Sequence, residues 1–245
     1  MIEKKRQSSL RKHVFHWVGK AIHQFHMIEN GDKILVGVSG VDSLCLLWIL
    51  RERLKWIPIR YELKAVFLDP GFDGGMGESI EEYLRRENFD YEIMKTNIGL
   101  DAQKPGNTKS PCFLCSRERR KRLFTYAHDI NYNKIAMGHH LDDINVTLFL
   151  NILYGSSIST MLPRQDFFGG LIIIIRPLAL LSKEKIDQLT CLLKLPSVIN
   201  PCPFSKNSQR SEITNFLNHF YRKDCRIRYN IFKALKNINK DYLPK

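Results

Sequence analysis

Apolar residues recur every three or four positions near the start of the chain, between Leu10 and Phe25. That spacing places them on one face of a helix that packs against the rest of the protein. We predict that this helix ends near Asn30-Gly31, because Asn and Gly readily adopt the backbone conformation that terminates helices. An N-terminal helical segment, residues 1–30, is therefore expected to precede the main fold.

The following residues predict a strand, a loop and a helix in that order. A continuous apolar run at 34–38 indicates a buried strand, residues 39–43 a tight turn, and residues 44–54 an apolar helix. Three further units of this kind are expected. Their strands are predicted at 63–68, 91–96 and 134–137, and their helices at about 78–87, around 117–122 and at about 141–154. A last strand at 171–175 leads to a helix that Ser182 can cap.

Short apolar strands that alternate with helices are typical of an α/β fold built on a doubly wound parallel sheet. Ligands of such sheets lie at the carboxyl ends of the strands, so functional residues are expected in the loops that follow them. We assign this α/β domain to residues 31–200. A basic C-terminal segment of one or two helices, residues 201–245, follows it.

The chain has 245 residues, of which 44% are hydrophobic, so it is long and apolar enough to form a folded core. It contains no apolar stretch of the roughly 20 residues that a membrane helix needs, and no signal-peptide pattern, which predicts a cytoplasmic protein. In that setting its six cysteines are expected to act as ligands or reactive thiols and not as a disulfide scaffold.

The chain carries 38 Lys and Arg residues against 25 Asp and Glu, a net charge of +13. The excess is concentrated at the ends: residues 1–33 hold seven basic and three acidic side chains, and residues 206–245 hold ten and three. Such basic termini favour a polyanionic partner, and nucleic acid is the natural candidate. Composition alone gives equal weight to the alternative that the charge only keeps the protein soluble.

A candidate anion site lies between the first predicted strand and its helix. It consists of Ser39, Gly40, Val41, Asp42 and Ser43. Backbone N–H groups in such a turn, together with the helix N-terminus, can bind phosphate. The segment matches neither a Walker A sequence nor a dinucleotide-binding fingerprint. The alternative is an ordinary strand-to-helix turn in which Ser39 or Ser43 is a cap.

A second candidate site follows the strand at 134–137. Within six residues it contains Gly138, His139, His140, Asp142 and Asp143. The carboxylates can hold Mg²⁺ against ATP phosphates, and a histidine can contact the nucleotide or the developing charge. The alternative is a pair of solvated acids that stabilise the start of a helix.

A third candidate site consists of cysteines. Cys112 and Cys115 form a Cys-x-x-Cys pair, and Cys202 lies in a proline-rich turn near the C-terminal segment. Zinc, a redox pair and an iron–sulfur cluster all use this spacing, so the pattern alone leaves the three alternatives open. Cys45, Cys191 and Cys225 lie in helical patterns, which favours core or surface positions for them.

Taken in order, these segments resemble the tRNA 2-thiocytidine synthetase family of the PP-loop ATP-pyrophosphatase superfamily. The similarity covers about residues 31–216. It is carried by the turn at 39–43, the cysteine positions, and the segments at 114–120, 136–143, 147–151, 154–155, 175–179, 201–202 and 209–210.

The resemblance implies an iron–sulfur enzyme that adenylates and 2-thiolates a cytidine of the tRNA anticodon loop. It implies that ATP phosphates bind at 39–43 with Gly138 and His140, that Asp42, Asp142, Asp143 and His139 are catalytic, and that Mg²⁺ is required. Cys112, Cys115 and Cys202 would ligate a [4Fe–4S] cluster. The arginines expected to bind RNA are Arg117, Arg119, Arg120, Arg122 and Arg210. A sulfur donor such as a cysteine desulfurase and a homodimer are further expected partners.

The chain departs from the family pattern in two places. Its PP-loop is Ser-Gly-Val-Asp-Ser, one residue shorter than the usual Ser-Gly-Gly-x-Asp-Ser, which removes a backbone N–H from the phosphate cradle. Ser205 stands where a second cysteine often follows the one at 202. Two alternatives therefore stay open: a tRNA-modifying enzyme that acts on a uridine, and a non-catalytic protein that binds tRNA or a cluster.

Overall fold

The computed structural model describes residues 2–74, 76–198, 200–205 and 208–242. Its strands are β1 (Asp32–Val38), β2 (Tyr61–Asp69), β3 (Tyr91–Lys95), β4 (Lys134–Met137), β5 (Arg164–Phe167) and β6 (Ile172–Ile175). Its α-helices are α1 (Ile2–Gln24), α2 (Val41–Arg53), α3 (Met76–Arg86), α4 (Ile98–Asp101), α5 (Pro111–Asp129), α6 (Leu141–Gly155), α7 (Lys183–Leu192), α8 (Gln209–Lys223) and α9 (Arg226–Ala234).

The strands form one sheet in the order β3-β2-β1-β4-β6-β5. All neighbouring strands are parallel except β5, which pairs antiparallel with β6. The predicted α/β class and doubly wound sheet are confirmed. β5, whose sequence is Arg-Gln-Asp-Phe, has no apolar run, so the hydrophobic pattern does not predict it. The strand order reverses between β1 and β4, the position where open α/β sheets bind ligands.

Helices cover both faces of the sheet. On one face α1, α2 and α7 share a core with β1, and Val14, Val18, Leu46 and Leu189 in it are fully buried. On the other face α5 packs Leu123 and Ala127 against the sheet. α8 and α9 pack on α6 through a separate small cluster. In the parts of the chain that the structure describes, no helix is both long and apolar enough to cross a lipid bilayer.

α1 ends at Gln24, several residues before the predicted end at Asn30-Gly31. His26 adopts a left-handed conformation with φ 48°, and the Met27 N–H donates to the Ile22 carbonyl at 2.9 Å. This is the hydrogen-bond pattern of a left-handed helix C-terminus, a position usually occupied by glycine. The prediction of the helix end was wrong because a histidine fills that position. The domain boundaries at residues 30 and 200 stay predictions.

Candidate functional site

Two loops meet at the point where the strand order reverses. Residues 39–43 follow β1 and residues 138–143 follow β4, and the two strands are adjacent, with Gly37 paired to Met137. The loops line a cavity of about 190 Å³. A Cβ on Gly138 would lie 2.9 Å from backbone atoms of Ser43, so only glycine permits this close approach of the loops. The predicted phosphate-binding and histidine-aspartate segments therefore form one site.

Ser43 organises the short PP-loop. Its hydroxyl oxygen accepts hydrogen bonds from the N–H groups of Ser39 at 2.9 Å and Gly40 at 3.2 Å, and its O–H donates to the Gly40 carbonyl at 2.7 Å. The loop thus satisfies two of its own donors. α2 starts at Val41, and the N–H groups of its first three residues have no backbone acceptor within the helix; these residues line the cavity, where helix N-termini favour an anion.

Asp42 is paired with a cation from another segment. Lys183 Nζ lies 2.6 Å from Asp42 Oδ1 and 2.9 Å from Asp187 Oδ1. Burial opposes the charged form of Lys183, but hydrogen bonds and charges from the two carboxylates outweigh burial and raise the pKa of Lys183. The start of α2 therefore carries a fixed ammonium group beside the PP-loop, and the sequence pattern gave no signal for it.

His140 and Asp143 cap α6 reciprocally. The His140 N–H donates to Asp143 Oδ2 at 3.0 Å, and the Asp143 N–H donates to His140 Nδ1 at 3.4 Å. His140 Nε2 lies 3.2 Å from Asp143 Oδ2 and 3.7 Å from Asp42 Oδ2, so the buried ring lies between the two carboxylates. His140, expected to bind the nucleotide, holds the carboxylates in place here and does not line the cavity.

His139 lines the cavity and is electrically neutral at physiological pH. Burial outweighs the opposing charge of Asp143 and, with smaller contributions from Arg176 and Arg210, lowers the pKa of His139 to about 4. Its Nδ1 atom is buried without a hydrogen-bond partner. A neutral imidazole with an unused nitrogen can bind a ligand by hydrogen bonding but cannot supply a positive charge.

Asp143 also lines the cavity and stays ionised. Burial opposes its charged form, but His140, Arg210 and His139 outweigh burial and lower the pKa of Asp143. Arg210 lies 2.5 Å from Asp143 Oδ1. Arg210, predicted to contact RNA, is thus engaged with a carboxylate of the cavity.

Asp142 has a different environment from Asp143, although the two are adjacent. Asp142 Oδ1 accepts a hydrogen bond from Arg228 Nε at 2.7 Å, and Oδ2 accepts one from the Lys183 N–H at 2.8 Å. Asp142 therefore caps α7 in place of Ser182, whose side chain makes no capping hydrogen bond. With both oxygens engaged and only 8% exposure, Asp142 is placed to position α6, α7 and α9 and not to contact a ligand. Its predicted catalytic role stays a prediction that this geometry does not favour.

The three predicted cysteine ligands come together from two segments. Cys112 and Cys115 occupy the first turns of α5, and Cys202 precedes α8. Burial raises the pKa of the Cys112 and Cys115 thiols, and the charge of Cys202 raises both further, so Cys202 lies within electrostatic reach of both. Within the described ranges, no three His, Cys, Asp or Glu side chains converge on one metal ion.

Arg119 lies beside this cysteine group. Burial lowers the pKa of Arg119, the charge of Cys115 acts in the opposite direction, and the buried Nε has no hydrogen-bond partner. An unpartnered N–H donor next to thiolates fits a sulfide or another anionic group of a cluster. Arg119 was predicted to bind RNA beside the cysteine pair; the structure places it next to Cys115, and its RNA contact stays a prediction. The side chain of Ser205 lies outside the described residues.

The other predicted RNA-binding arginines lie on the surface of α5. Arg117, Arg120 and Arg122 are exposed, and Arg117 pairs with Glu118 at 3.0 Å. Their role in RNA binding stays a prediction.

Sequence reasoning did not identify two cationic residues at the site as functional. Arg176 is buried, its Nε has no partner, and burial followed by the charge of Arg120 lowers the pKa of Arg176 to about 10. Lys183 contacts Asp42, as described above. Arg176 does not line the cavity, but its charge acts on the cavity residue His139, an effect between distant segments that the sequence pattern could not reveal.

Comparison with known proteins agrees with this geometry. Residues 14–220 match the model of the PP-loop domain family. Three curated relatives are tRNA-cytidine(32) 2-sulfurtransferases. The Pseudomonas aeruginosa protein is 37% identical, and the alignment covers 95% of this chain and 86% of the relative. The Alcanivorax borkumensis protein is 37% identical, with coverage of 95% of this chain and 83% of the relative, and the Geotalea uraniireducens protein is 36% identical, with coverage of 92% and 91%.

Solved structures show the same fold. The U34-tRNA thiolase of Methanococcus maripaludis, determined with its [4Fe–4S] cluster, has a TM-score of 0.79 at 23% identity, covering 94% of this chain and 79% of that one. The NH₃-dependent NAD synthetase of Campylobacter jejuni has a TM-score of 0.52 at 17% identity, covering 98% and 97%. With the family match and the curated relatives, these findings establish that the chain belongs to the PP-loop family and, within it, to the family of the tRNA-cytidine(32) 2-sulfurtransferases.

Proposed function

We propose that this protein is an ATP-dependent sulfurtransferase that replaces the C2 oxygen of a cytidine in tRNA by sulfur. In the first step the cytosine O2 attacks the α-phosphorus of ATP, and pyrophosphate leaves. In the second step a sulfur nucleophile attacks C2, the C–S bond forms, and the C–O bond breaks to release AMP. Membership of the family and the two-part site, a PP-loop cavity with a nearby cysteine group, support this reaction.

The observation that carries the proposal is the assembly of Cys112, Cys115 and Cys202 beside the unpartnered Arg119 Nε. Three thiolates can ligate three irons of a [4Fe–4S] cluster, and when bound the cluster supplies, at its fourth iron, a position for the sulfur that is transferred. The Arg119 guanidinium keeps a positive charge next to Cys115, which favours the thiolate form that ligation requires.

The PP-loop cavity has the groups that adenylation needs. N–H groups at the start of α2 and the neutral His139 can bind phosphate oxygens. Asp143 and Asp42, which flank His140, are suitable ligands for Mg²⁺. At about 190 Å³ the cavity accommodates phosphate groups and not a complete nucleotide, so the adenosine must lie outside it.

Two partners complete the proposal. A cysteine desulfurase or a similar donor replaces the transferred sulfur. A second copy of the chain is a candidate for the exposed apolar end of α6, where Leu153 and Tyr154 are 58% and 52% exposed.

The first experiment that tests the function measures the cluster content of the parent protein and of single cysteine variants. Anaerobically purified protein should contain iron and acid-labile sulfide, and Cys112→Ser, Cys115→Ser and Cys202→Ser should each lose them while the far-UV circular dichroism stays unchanged. Cys225→Ser, which alters an exposed cysteine at the start of α9, is the matched control and should keep the cluster. A variant of the trio that keeps a full cluster would remove that cysteine from the ligand set.

A second candidate function is binding of tRNA without catalysis, and the PP-loop itself favours it. Ser43 occupies two loop N–H groups, of Ser39 and Gly40, that a longer loop could offer to phosphate. Release of pyrophosphate from ATP that depends on tRNA separates the two candidates. We expect release by the parent protein, and its absence from a protein with an intact cluster would leave only the binding function.

A further inference from the structure

A basic cleft lies between α1 and the C-terminal end of α2, at the opposite end of α2 from the PP-loop. It has a volume of about 970 Å³. The residues that define this α1–α2 cleft here are Arg11, Lys12, His16, Lys20, Arg53 and Trp56. α2 has 13 residues, so about 20 Å separate the cleft from the candidate active site.

Arg53 is the buried member of the cleft. It is 8% exposed, and its Nε has no hydrogen-bond partner among the described residues. Its Nη1 donates a long hydrogen bond of 3.5 Å to the Phe15 carbonyl. Among the described residues no carboxylate forms an ion pair with it. A buried guanidinium without a counter-charge is unfavourable unless an anion completes the site.

The described lining of the cleft carries no negative charge. α1 has no Asp or Glu between residues 5 and 24, and no acidic residue of the part that the structure describes lines the cleft. Arg11, Lys12 and Lys20 are exposed at its rim. A Cβ on Gly19 would lie 3.0 Å from Arg53 Nη1, so glycine at this position allows the guanidinium to lie against α1 within the cleft that Gly19 also lines. The positive potential is therefore concentrated on one open surface.

Trp56 adds an aromatic surface to the cleft. Trp56 is 58% exposed. The Phe15 ring packs edge-on against the Trp56 ring with 5.7 Å between the ring centroids, and the Arg53 guanidinium lies 5.1 Å from the Trp56 ring centroid. Proteins bind unpaired nucleotides by combining basic side chains, which contact the phosphates, with an exposed aromatic ring, on which a base stacks.

We propose that the α1–α2 cleft binds the phosphodiester backbone of an RNA strand and stacks a base on Trp56. The inference rests on the proposed function, since it assumes a tRNA substrate, and it adds a contact remote from the reacting cytidine. The volume is far larger than one phosphate group, which favours a strand over a free anion. An RNA that occupies the active site extends well beyond 20 Å, so one molecule can reach both places.

The test measures binding of end-labelled tRNA to the full chain by fluorescence anisotropy over a series of KCl concentrations. Arg11→Gln/Lys12→Gln removes two exposed charges of the cleft. Arg85→Gln/Arg86→Gln removes two exposed charges from the end of α3 and is the matched control. We expect the cleft variant to bind at least about tenfold more weakly and the slope of log K against log salt to fall by about 1.5 to 2. The control should behave as the parent does.

Stacking is tested separately with Trp56→Ala and Trp56→Phe. The alanine variant should bind tRNA about tenfold more weakly and the phenylalanine variant should recover most of the affinity, because every aromatic ring offers a face to a base. At saturating tRNA both should release pyrophosphate at the rate of the parent, since Trp56 lies far from the PP-loop.

The outcomes of these experiments distinguish a failure of the proposed RNA contact at the α1–α2 cleft from a failure of the proposed function. A parent that binds and thiolates tRNA while the cleft variant matches the control overturns the inference and leaves the proposed function intact. A parent with no affinity for tRNA overturns both. Saturable binding of inorganic phosphate that Arg11→Gln/Lys12→Gln abolishes, with tRNA affinity unchanged, would assign the cleft to a small anion and overturn the RNA assignment.

Discussion

The buried ion pair between Asp142 and Arg228 allows the loss of stability in the variant Arg228→Met to be predicted quantitatively. Arg228 is 7% exposed and Asp142 8%, and Arg228 Nε lies 2.7 Å from Asp142 Oδ1. Methionine keeps an unbranched side chain of similar length but removes the charge. Among the described residues, Asp142 would then retain the Lys183 N–H as its hydrogen-bond donor and would be a buried carboxylate that no Lys or Arg pairs with.

The expected loss of stability follows from that uncompensated charge. Removing one partner of a buried ion pair destabilises a protein by about 3–5 kcal/mol. In a chain of this length, 1 kcal/mol lowers the melting temperature by roughly 2–4 °C, so we expect a decrease of about 10 °C. Arg226→Met is the control: Arg226 lies on the same helix, is largely exposed and pairs with Asp224, so its replacement should leave the melting temperature unchanged.

A double-mutant cycle in urea measures the interaction itself. Arg228→Met, Asp142→Leu and the double variant should be strongly non-additive, because the second substitution removes the charge that the first leaves unpaired. If the two single effects simply add, the reasoning is refuted. Asp142→Asn extends the test to function: full loss of pyrophosphate release at an unchanged melting temperature would support the predicted catalytic role, whereas parallel loss of stability and turnover would support the positioning role.

Three further predictions concern the core of the site and the sheet. Burial lowers the pKa of His139 to about 4, so between pH 6.5 and pH 4 the unfolded chain binds a proton that the native state does not. The free energy of unfolding should therefore fall by up to about 3 kcal/mol as the pH is lowered across that range. In urea titrations, His139→Gln should make the free energy of unfolding less dependent on pH. Lys134→Met leaves the buried Asp32 without its partner at 2.6 Å and should lower the unfolding free energy by about 3 kcal/mol, while an unchanged urea midpoint would show that the pair contributes nothing. Gly138→Ala should abolish pyrophosphate release and lower the melting temperature, because its Cβ would meet a backbone 2.9 Å away, whereas Gly155→Ala, with no atom within 4 Å, should do neither.

Local sequence patterns predicted a strand or helix correctly where an apolar run ends at the same residue as the element itself. The strand at 134–137 has the predicted bounds, since an apolar run ends there at a glycine. β5 escaped prediction because its sequence is polar at an edge position, where one side of the strand needs no apolar partner. The end of α1 escaped because a histidine, not a glycine, takes the left-handed conformation.

The candidate site divides in the same way. The meeting of residues 39–43 with residues 138–143 was predictable, because both follow strands whose carboxyl ends share one edge of a parallel sheet. The pairing of Asp42 with Lys183 spans 141 residues and that of Asp142 with Arg228 spans 86. Neither leaves a periodic signal, so a single sequence could not separate Asp143, which lines the cavity, from the neighbouring Asp142, whose two oxygens bind Arg228 and the Lys183 N–H.

The neighbouring position of β1 and β4 also bears on how the chain folds. The two strands are adjacent in the sheet although about a hundred residues separate them along the chain. β1 can pair with β2 soon after both are synthesised, but its other edge stays open until β4 has left the ribosome. Closing so long a loop is slow, and an unpaired apolar strand edge can associate with other chains in the meantime. The PP-loop therefore acquires its opposing loop late in folding, and the nascent chain cannot bind ATP productively before its second half has folded.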